Sequence, residues 1–330
     1  MNEYEVNINH IADIIANFRR NELSIVLDAN HVDKWASQFS KANRCIVVSE
    51  TYHVLKQWYF DVNRMKVFLD KIDAYLKKTY DDCLDDFTFW DGQSETKSQH
   101  RLLNIYPRSN IYKDTQLRKH IVYIDDGIYT GNRIRKDVEE IINKSEHVET
   151  IDIFTWVGYC NAVEFSKGTL TNLAKKKNIS LTIDCQYTLY NDKETRYDGG
   201  TESYTSTLDI IWPSPELERF ENVSKYISYL KNKNIQLHYK FRTHSLYTSN
   251  VFSNQYNKSV LEKEFLLAGL SIIAEDSYER GIYPLGFDSS PSLGFGSFCA
   301  TDFNISNTCP IVLWWDVNSS WYPLLPRRIN

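Results

Sequence analysis

The stretch Ile121 to Ile134, IVYIDDGIYTGNRI, restricts the possible folds of this chain more than any other. Four residues of strand-forming type, Ile121 to Ile124, run into two carboxylates, Asp125 and Asp126. The loop Gly127-Ile128-Tyr129-Thr130-Gly131-Asn132 follows, and then Ile134, Val138, Ile141 and Ile142 recur at helical spacing. Glycine lets such a loop approach a ligand closely or take positive φ. The free N–H groups that open the next helix favour an anion. The turn therefore reads as a phosphate cradle, against the plainer alternative that Asp125 and Asp126 end a strand and cap a helix.

A carboxylate pair beside a bound phosphate suits a sugar phosphate better than a nucleoside triphosphate. Each carboxylate accepts hydrogen bonds from a ribose hydroxyl. Together they can hold Mg²⁺, directly or through water, and the ion would screen their mutual repulsion. On these residues the sequence resembles the type I phosphoribosyltransferases. The resemblance implies that Asp125 and Asp126 hold the ribose hydroxyls of phosphoribosyl pyrophosphate (PRPP) with Mg²⁺ as cofactor. It also implies that the loop of Gly127, Tyr129, Thr130, Gly131, Asn132 and Arg133 grips the 5′-phosphate. Two positions depart from the family pattern: Tyr129 stands where a small or acidic residue is usual, and Arg133 where a Ser or Thr closes the phosphate loop. Arg133 could replace that hydroxyl with a charged fork.

Downstream, Ile151 to Val157 reads as a strand, Val163 to Lys176 as a weaker helix interrupted by Gly168, and Leu181 to Cys185 as another strand. Strand centres near Tyr123, Ile153 and Ile183 lie about thirty residues apart, the length of a βαβ unit. Right-handed crossovers would make the sheet parallel, with the cradle at the carboxyl ends of its strands. The expected class is α/β: a type I phosphoribosyltransferase-like parallel sheet flanked by helices. A helical N-terminal region (1–95) precedes this core (96–190), and a C-terminal α+β extension (191–330) follows it.

In the first of these regions Ile11, Ile14, Ile15 and Phe18 fall at helical spacing, and DANHVDKWASQF puts an apolar stripe behind an Asp cap. Leu55, Trp58, Tyr59, Val62, Met65, Leu69, Ile72 and Leu76 extend the period, with a break expected near Asn63. His31 reads as a neighbour of a core-packing Trp rather than as a catalytic group. From Asp81 to Gln99 no period is sustained, so a solvated acidic turn is expected there. RLLNIYPRS then suggests an edge strand or hairpin arm ending at Pro107. The family resemblance makes this segment a flap in which Arg101, Arg108, Arg118 and Lys119 deliver cations; by spacing alone they are surface charges.

Beyond Tyr190 a turn-rich loop runs to Ser206. Leu208 to Trp212 reads as a short strand, Leu217 to Leu230 as a helix, Gln236 to Phe241 as a strand and Val260 to Ile273 as a buried helix. Lys240, Arg242 and His244 alternate with Tyr239 and Phe241, a pattern compatible with nucleic-acid contact or with a half-buried strand. GFGSF at 294–298, a proline-started strand in NTCPIVLWW and a proline-rich tail close the chain. Aromatic density of this kind normally packs onto a sheet. The functional alternative has Gly294, Gly296 and Asn307 lining the sugar-phosphate pocket.

A formal net charge of −5 argues against nucleic-acid binding over the whole surface, while permitting a local basic patch. No apolar run reaches membrane-spanning length and no signal-peptide core opens the chain, so no membrane contact and a cytoplasmic location are expected. Cys45, Cys83, Cys160, Cys185, Cys299 and Cys309 show no C-x-x-C pair or zinc-ligand spacing, and read as reduced, mostly buried thiols. HVDKWASQF, the Asp-Asp and Thr-Gly core, GFGSF, NTCPIVLWW and PLLPR together resemble the phosphoribosyltransferase-like effectors of bacterial conflict systems. That resemblance implies anti-phage defence. For the retron members of the group it also implies association with a reverse transcriptase and its multicopy single-stranded DNA. The acceptor, and whether the chain forms an oligomer, stay open at this level, as does the choice between a transferase and a ribose-phosphate sensor or structural subunit.

Overall fold

The computed structural model describes residues 2–80, 86–93, 97–106, 117–144, 147–191, 207–237, 240–242, 248–275, 281–317 and 320–327. Its contacts divide the chain into two compact units, one of residues 61–190 and one of residues 1–60 with 191–330. Residues 61–190 hold the four-stranded sheet and the helices packed with it.

In the composite unit, α1 (Glu3–Ile15) opens with a capping box in which Asn2 and Glu5 satisfy each other's backbone amides. Helix α2 (Ala29–Ala36) is capped by Asp28, as its sequence predicts. Helix α3 (Arg44–Trp58) runs into a two-residue strand, β1 (Tyr59–Phe60). His31 is buried, its ring nitrogens hydrogen-bonded to Tyr322 Oη and the Leu324 carbonyl, and Trp35 donates to the Val312 carbonyl. Both residues therefore belong to the core.

The sheet unit begins with α4 (Val62–Tyr80), so the long helical pattern breaks at Tyr59–Phe60, just before Asn63. Strand β2 (Phe87–Phe89) and helix α5 (Ser98–Ile105) precede β3 (His120–Ile128). Helix α6 (Asn132–Lys144), β4 (Thr150–Tyr159), α7 (Cys160–Lys175) and β5 (Ser180–Leu189) complete it. The sheet is parallel throughout, in the order β2-β3-β4-β5. Ile121, Tyr123, Ile151 and Ile153 face α6 and α7, where Ile134, Val138, Ile141 and Ile142 bury the apolar stripe foreseen for α6. Each such side chain contributes about 1.5–3 kcal/mol by leaving water. Alternation sends Phe154 and Trp156 to the opposite face, against Tyr75 and Phe68 of α4 at ring distances of 5.4 and 6.1 Å. Gly168 leaves α7 unbroken, because it is exposed with nothing near its Cβ position.

Two expectations fail in this unit. RLLNIYPRS contains no strand at its start: residues 101–105 finish α5, which buries Leu102 and Leu103, and Tyr106 closes the last turn through its amide to the Leu102 carbonyl. Conversely, the segment read as an acidic turn contains β2. Three residues, FTF, carry too little period to be recognised alone, and the edge of β3 recruits them in parallel register.

The remainder of the composite unit holds α8 (Glu221–Asn232), preceded by a 3-10 turn at Pro215–Arg219, and α9 (Gln255–Glu275). Short strands β6 (Ile282–Tyr283) and β7 (Gly286–Phe287) pair antiparallel, and β8 (Ala300–Thr301) pairs parallel with β1. Leu208 to Trp212 is no strand: the Ile211 amide goes to the Gly296 carbonyl and the Trp212 amide to Glu262 Oε1. The strand expected after Pro310 is a 3-10 turn, Ile311–Leu313. Of Gln236 to Phe241, positions 238 and 239 lie outside the described residues, as does His244, and the described flanks form no strand. Arg242 is buried in an ion pair with Glu262 and donates to the Trp212 carbonyl, so it presents no cation to nucleic acid. Among the described cysteines only Cys299 and Cys309 are buried, and Cys45 is exposed. No helix of the described residues is long and apolar enough to cross a membrane.

Candidate phosphate and ribose site

Strand β3 runs farther than its apolar residues suggest, through Asp125, Asp126 and Gly127 to Ile128, in register with β4. The turn is correspondingly tight, with only Tyr129, Thr130 and Gly131 separating β3 from α6. Gly131 has φ +73°, and a Cβ there would lie 2.5 Å from Ser166 Oγ and 2.8 Å from Arg135 Nη1. Only glycine fits such a corner without strain. The Arg135 amide takes the Gly131 carbonyl as its helical acceptor. Among the described residues no protein group accepts from the amides of Thr130, Gly131, Asn132 or Arg133. These are the orphan donors of a helix start, left open at the carboxyl end of a parallel sheet.

Cations gather at the same corner. The guanidinium of Arg135, a residue that motif reading did not single out, bonds the Asn132 side chain, lies 3.4 Å from Ser166 Oγ and stacks 4.7 Å from the Phe165 ring. Arg133 is half exposed; its Nε donates to Asp137 Oδ2 at 2.8 Å and its Nη2 to the Gly92 carbonyl at 3.1 Å. It thus ties α6 to the segment after β2. Tyr129 folds back, so that a Cβ on Gly127 would meet its ring at 3.0 Å, and its ring centroid lies 5.9 Å from that of Tyr159.

The two acids have different surroundings. Asp125 is 8% exposed and accepts from Ser98 Oγ (3.0 Å), Gln93 Nε2 (2.9 Å) and the Asp126 amide (2.8 Å). Burial pushes its carboxyl above the usual range, and these hydrogen bonds, with one to the Asp126 side chain, oppose the shift. Tyr123, two residues earlier on the same face, lies 3.5 Å from Asp125 and donates to Asp137 at 3.1 Å. Burial, followed by the charges of Asp125 and Asp137, holds the Tyr123 phenol well above its ordinary value. Asp126 is half buried and stands beside the open turn.

Residues 90–93 and 98–99 support this site and were not foreseen as part of it. Gln93 and Ser98 hold Asp125, while Gln99 Oε1 accepts from the Gly92 amide at 3.1 Å. Among the described residues, no group accepts from the buried Gln99 Nε2 or Trp90 Nε1. His100 Nδ1 lies 2.7 Å from Asp91. Asp137 was also missed, although an acid three residues after Ile134 falls on the buried stripe of α6.

The proposed accessory groups fall on different elements. Arg101 is half buried on α5, and Arg108 lies outside the described residues. Arg118 donates its amide to Thr88 and Lys119 faces Glu149 at the start of β3, about 20 Å along the strand from the acids. Gly296 and Asn307 lie in the other unit. A side chain on Gly296 (φ +77°) would run into the Ile211 carbonyl, and the Asn307 carbonyl accepts from the Phe287 amide. Both positions have structural work of their own.

No group of three or more metal-binding side chains occurs among the described residues. With most of the lone pairs of Asp125 already engaged, direct coordination by both acids does not fit. Mg²⁺ fits as an ion held by one carboxylate, Asp126, with phosphate oxygens and water supplying the rest.

A parallel sheet with an acid pair at a carboxyl end and an open, glycine-cornered helix start defines a phosphoribosyltransferase-like protein. The PRTase-CE family model matches residues 32–327, and the chain belongs to that family. No curated protein matches it.

Proposed function

We propose that the sheet unit binds PRPP or a related ribose-phosphate nucleotide with Mg²⁺, and that the protein acts at the ribose C1′. The observation that carries this reading is the set of amides at Thr130 to Arg133, beside Asp126, that no group among the described residues accepts from. The 5′-phosphate takes those amides and the Arg135 guanidinium, while Asp126 accepts from the ribose hydroxyls. Asp125 is a positioning residue, fixing Asp126, Gln93 and Ser98. As the C1′–oxygen bond to pyrophosphate breaks and water or an acceptor forms the new bond to C1′, positive charge builds on the sugar, and a carboxylate beside it lowers that barrier. Mg²⁺, when bound, neutralises the departing phosphates. Incubation with PRPP and Mg²⁺ should release pyrophosphate in the wild type and not in Asp126→Asn; no release from the wild type would remove the transferase reading.

A second reading, a sensor that binds without turnover, draws support from the engaged lone pairs of Asp125 and from Tyr129 folded onto Gly127. It predicts saturable binding with no pyrophosphate. In either case the proposed setting is anti-phage defence, with a retron reverse transcriptase and its single-stranded DNA as partners. Family membership and the sequence resemblance support that setting. Loss of phage protection on Gly131→Ala, and co-purification with a reverse transcriptase, test it.

A further inference from the structure

The composite unit contains an open cleft of about 430 Å³ where α1, α3 and α9 converge, lined by Asn2, Glu3, Tyr4, Asn7, Cys45, Ile46, Ser49 and Asn257. Asn7 is only 7% exposed, and among the described residues no protein group pairs with its carboxamide. Its helix neighbour Asn9, by contrast, donates to the Glu5 carbonyl. Ser49, half buried on the α3 wall, likewise has no partner among the described residues. The polar atoms of Asn7 are not fully buried, so they open onto the cleft and bond to whatever fills it, water or a ligand.

We propose that this cleft binds an unphosphorylated nucleobase or nucleoside, with Asn7 reading the edge of the base. A carboxamide offers a donor and an acceptor side by side, the arrangement that pairs bidentately with a base edge. Ile46 and the Tyr4 ring supply surface for the face of the heterocycle, and Tyr4 is fixed by its hydroxyl, which donates to Asp33 at 2.7 Å. Asn257 has its Nδ2 committed to Ser253, which leaves its carbonyl oxygen as an acceptor. Among the described lining residues Glu3 alone is charged and none is cationic, so phosphate is disfavoured and a neutral ligand preferred. The volume lies within the range of about 300–1,000 Å³ of small-molecule sites. None of these residues belongs to the turn at Gly131, so this proposal stands or falls separately from the ribose-phosphate reading.

Cys45 on the cleft wall is exposed and serves as the reporter. Its alkylation rate, followed by peptide mass spectrometry, is measured with adenosine, guanosine, cytidine or uridine and with the matching 5′-monophosphates. At least one nucleoside should protect Cys45 saturably, and better than its monophosphate. Asn7→Leu should weaken that protection about tenfold or more without lowering Tm, because it removes an amide that has no protein partner. Ser49→Ala, a small change at a half-buried position, should weaken protection while leaving Tm unchanged. Absence of protection by all four nucleosides, equal protection in Asn7→Leu, or a Tm loss in that variant would each overturn the proposal.

Discussion

Ser98 Oγ donates to Asp125 Oδ1 at 3.0 Å, so the first residue of α5 holds the first acid of the pair from inside the protein. The two adjacent aspartates therefore have unequal duties. Asp125→Asn places an amide where Gln93 and Ser98 both donate, and should cost about 1–3 kcal/mol in urea unfolding. Asp126→Asn should cost under about 1 kcal/mol, yet abolish ribose-phosphate binding in calorimetry. The pH dependence separates them further. Because burial raises the folded pKa of Asp125, the native state keeps that proton to higher pH than the unfolded chain does. Its contribution to stability is therefore full below the unfolded carboxylate pKa and lost as pH climbs through the raised value. Asp125→Asn should lack this slope.

Gly131→Ala forces a side chain into positive φ against Ser166 Oγ. The backbone term alone is about 1–2 kcal/mol, and the contact with Ser166 adds to it. Thermal unfolding should show the loss, and phosphate binding at the turn should disappear with it.

Arg133 bridges Asp137 and the Gly92 carbonyl. Arg133→Met should cost about 1–2 kcal/mol, allowing for solvent around the half-exposed guanidinium. Arg133→Lys should recover little, since an ammonium cannot reproduce a fork that reaches two acceptors. Paired unfolding curves of the two variants check both statements.

The parts of the fold visible in the sequence were those with local period. The stripe of α6, the Asp28 cap of α2 and the thirty-residue spacing of β3, β4 and β5 all appear where they were expected. Elements created by a neighbour were invisible. Strand β2 exists because β3 offers it an edge, and residues 208–212 stay irregular because Glu262 and Gly296 take their amides. At the candidate site, the motif pointed to Asp126, Thr130 and Gly131, which the fold brings to one corner between β3 and α6. It could not show that Gln93 and Ser98, about thirty residues upstream, occupy Asp125. Arg135 carries no signal in the sequence, because Phe165 and Ser166 of α7 come beside it only in the fold. Arg242, read as a candidate contact for nucleic acid, sits beneath Trp212 because Glu262 needs a cation.

Lys258 is buried under the Leu208 carbonyl, to which it donates at 2.7 Å. Burial draws its pKa down to about 8, with Glu262, Asp209 and Glu50 opposing that shift and Arg242 adding to it. Between pH 8 and the ordinary lysine value the unfolded chain binds a proton that the native state has released, so stability rises with pH. The gain should be about 2 kcal/mol between pH 8 and 9.5. Urea unfolding across that interval should show it in the wild type and not in Lys258→Met.

The central claim concerns what enters the corner between β3 and α6, and amide chemical shifts report on it directly. PRPP with Mg²⁺ should move the resonances of Thr130, Gly131, Asn132 and Arg133 saturably in the wild type, with affinity lost in Asp126→Asn. Unmoved resonances at those four amides, or equal affinity in Asp126→Asn, would contradict the account.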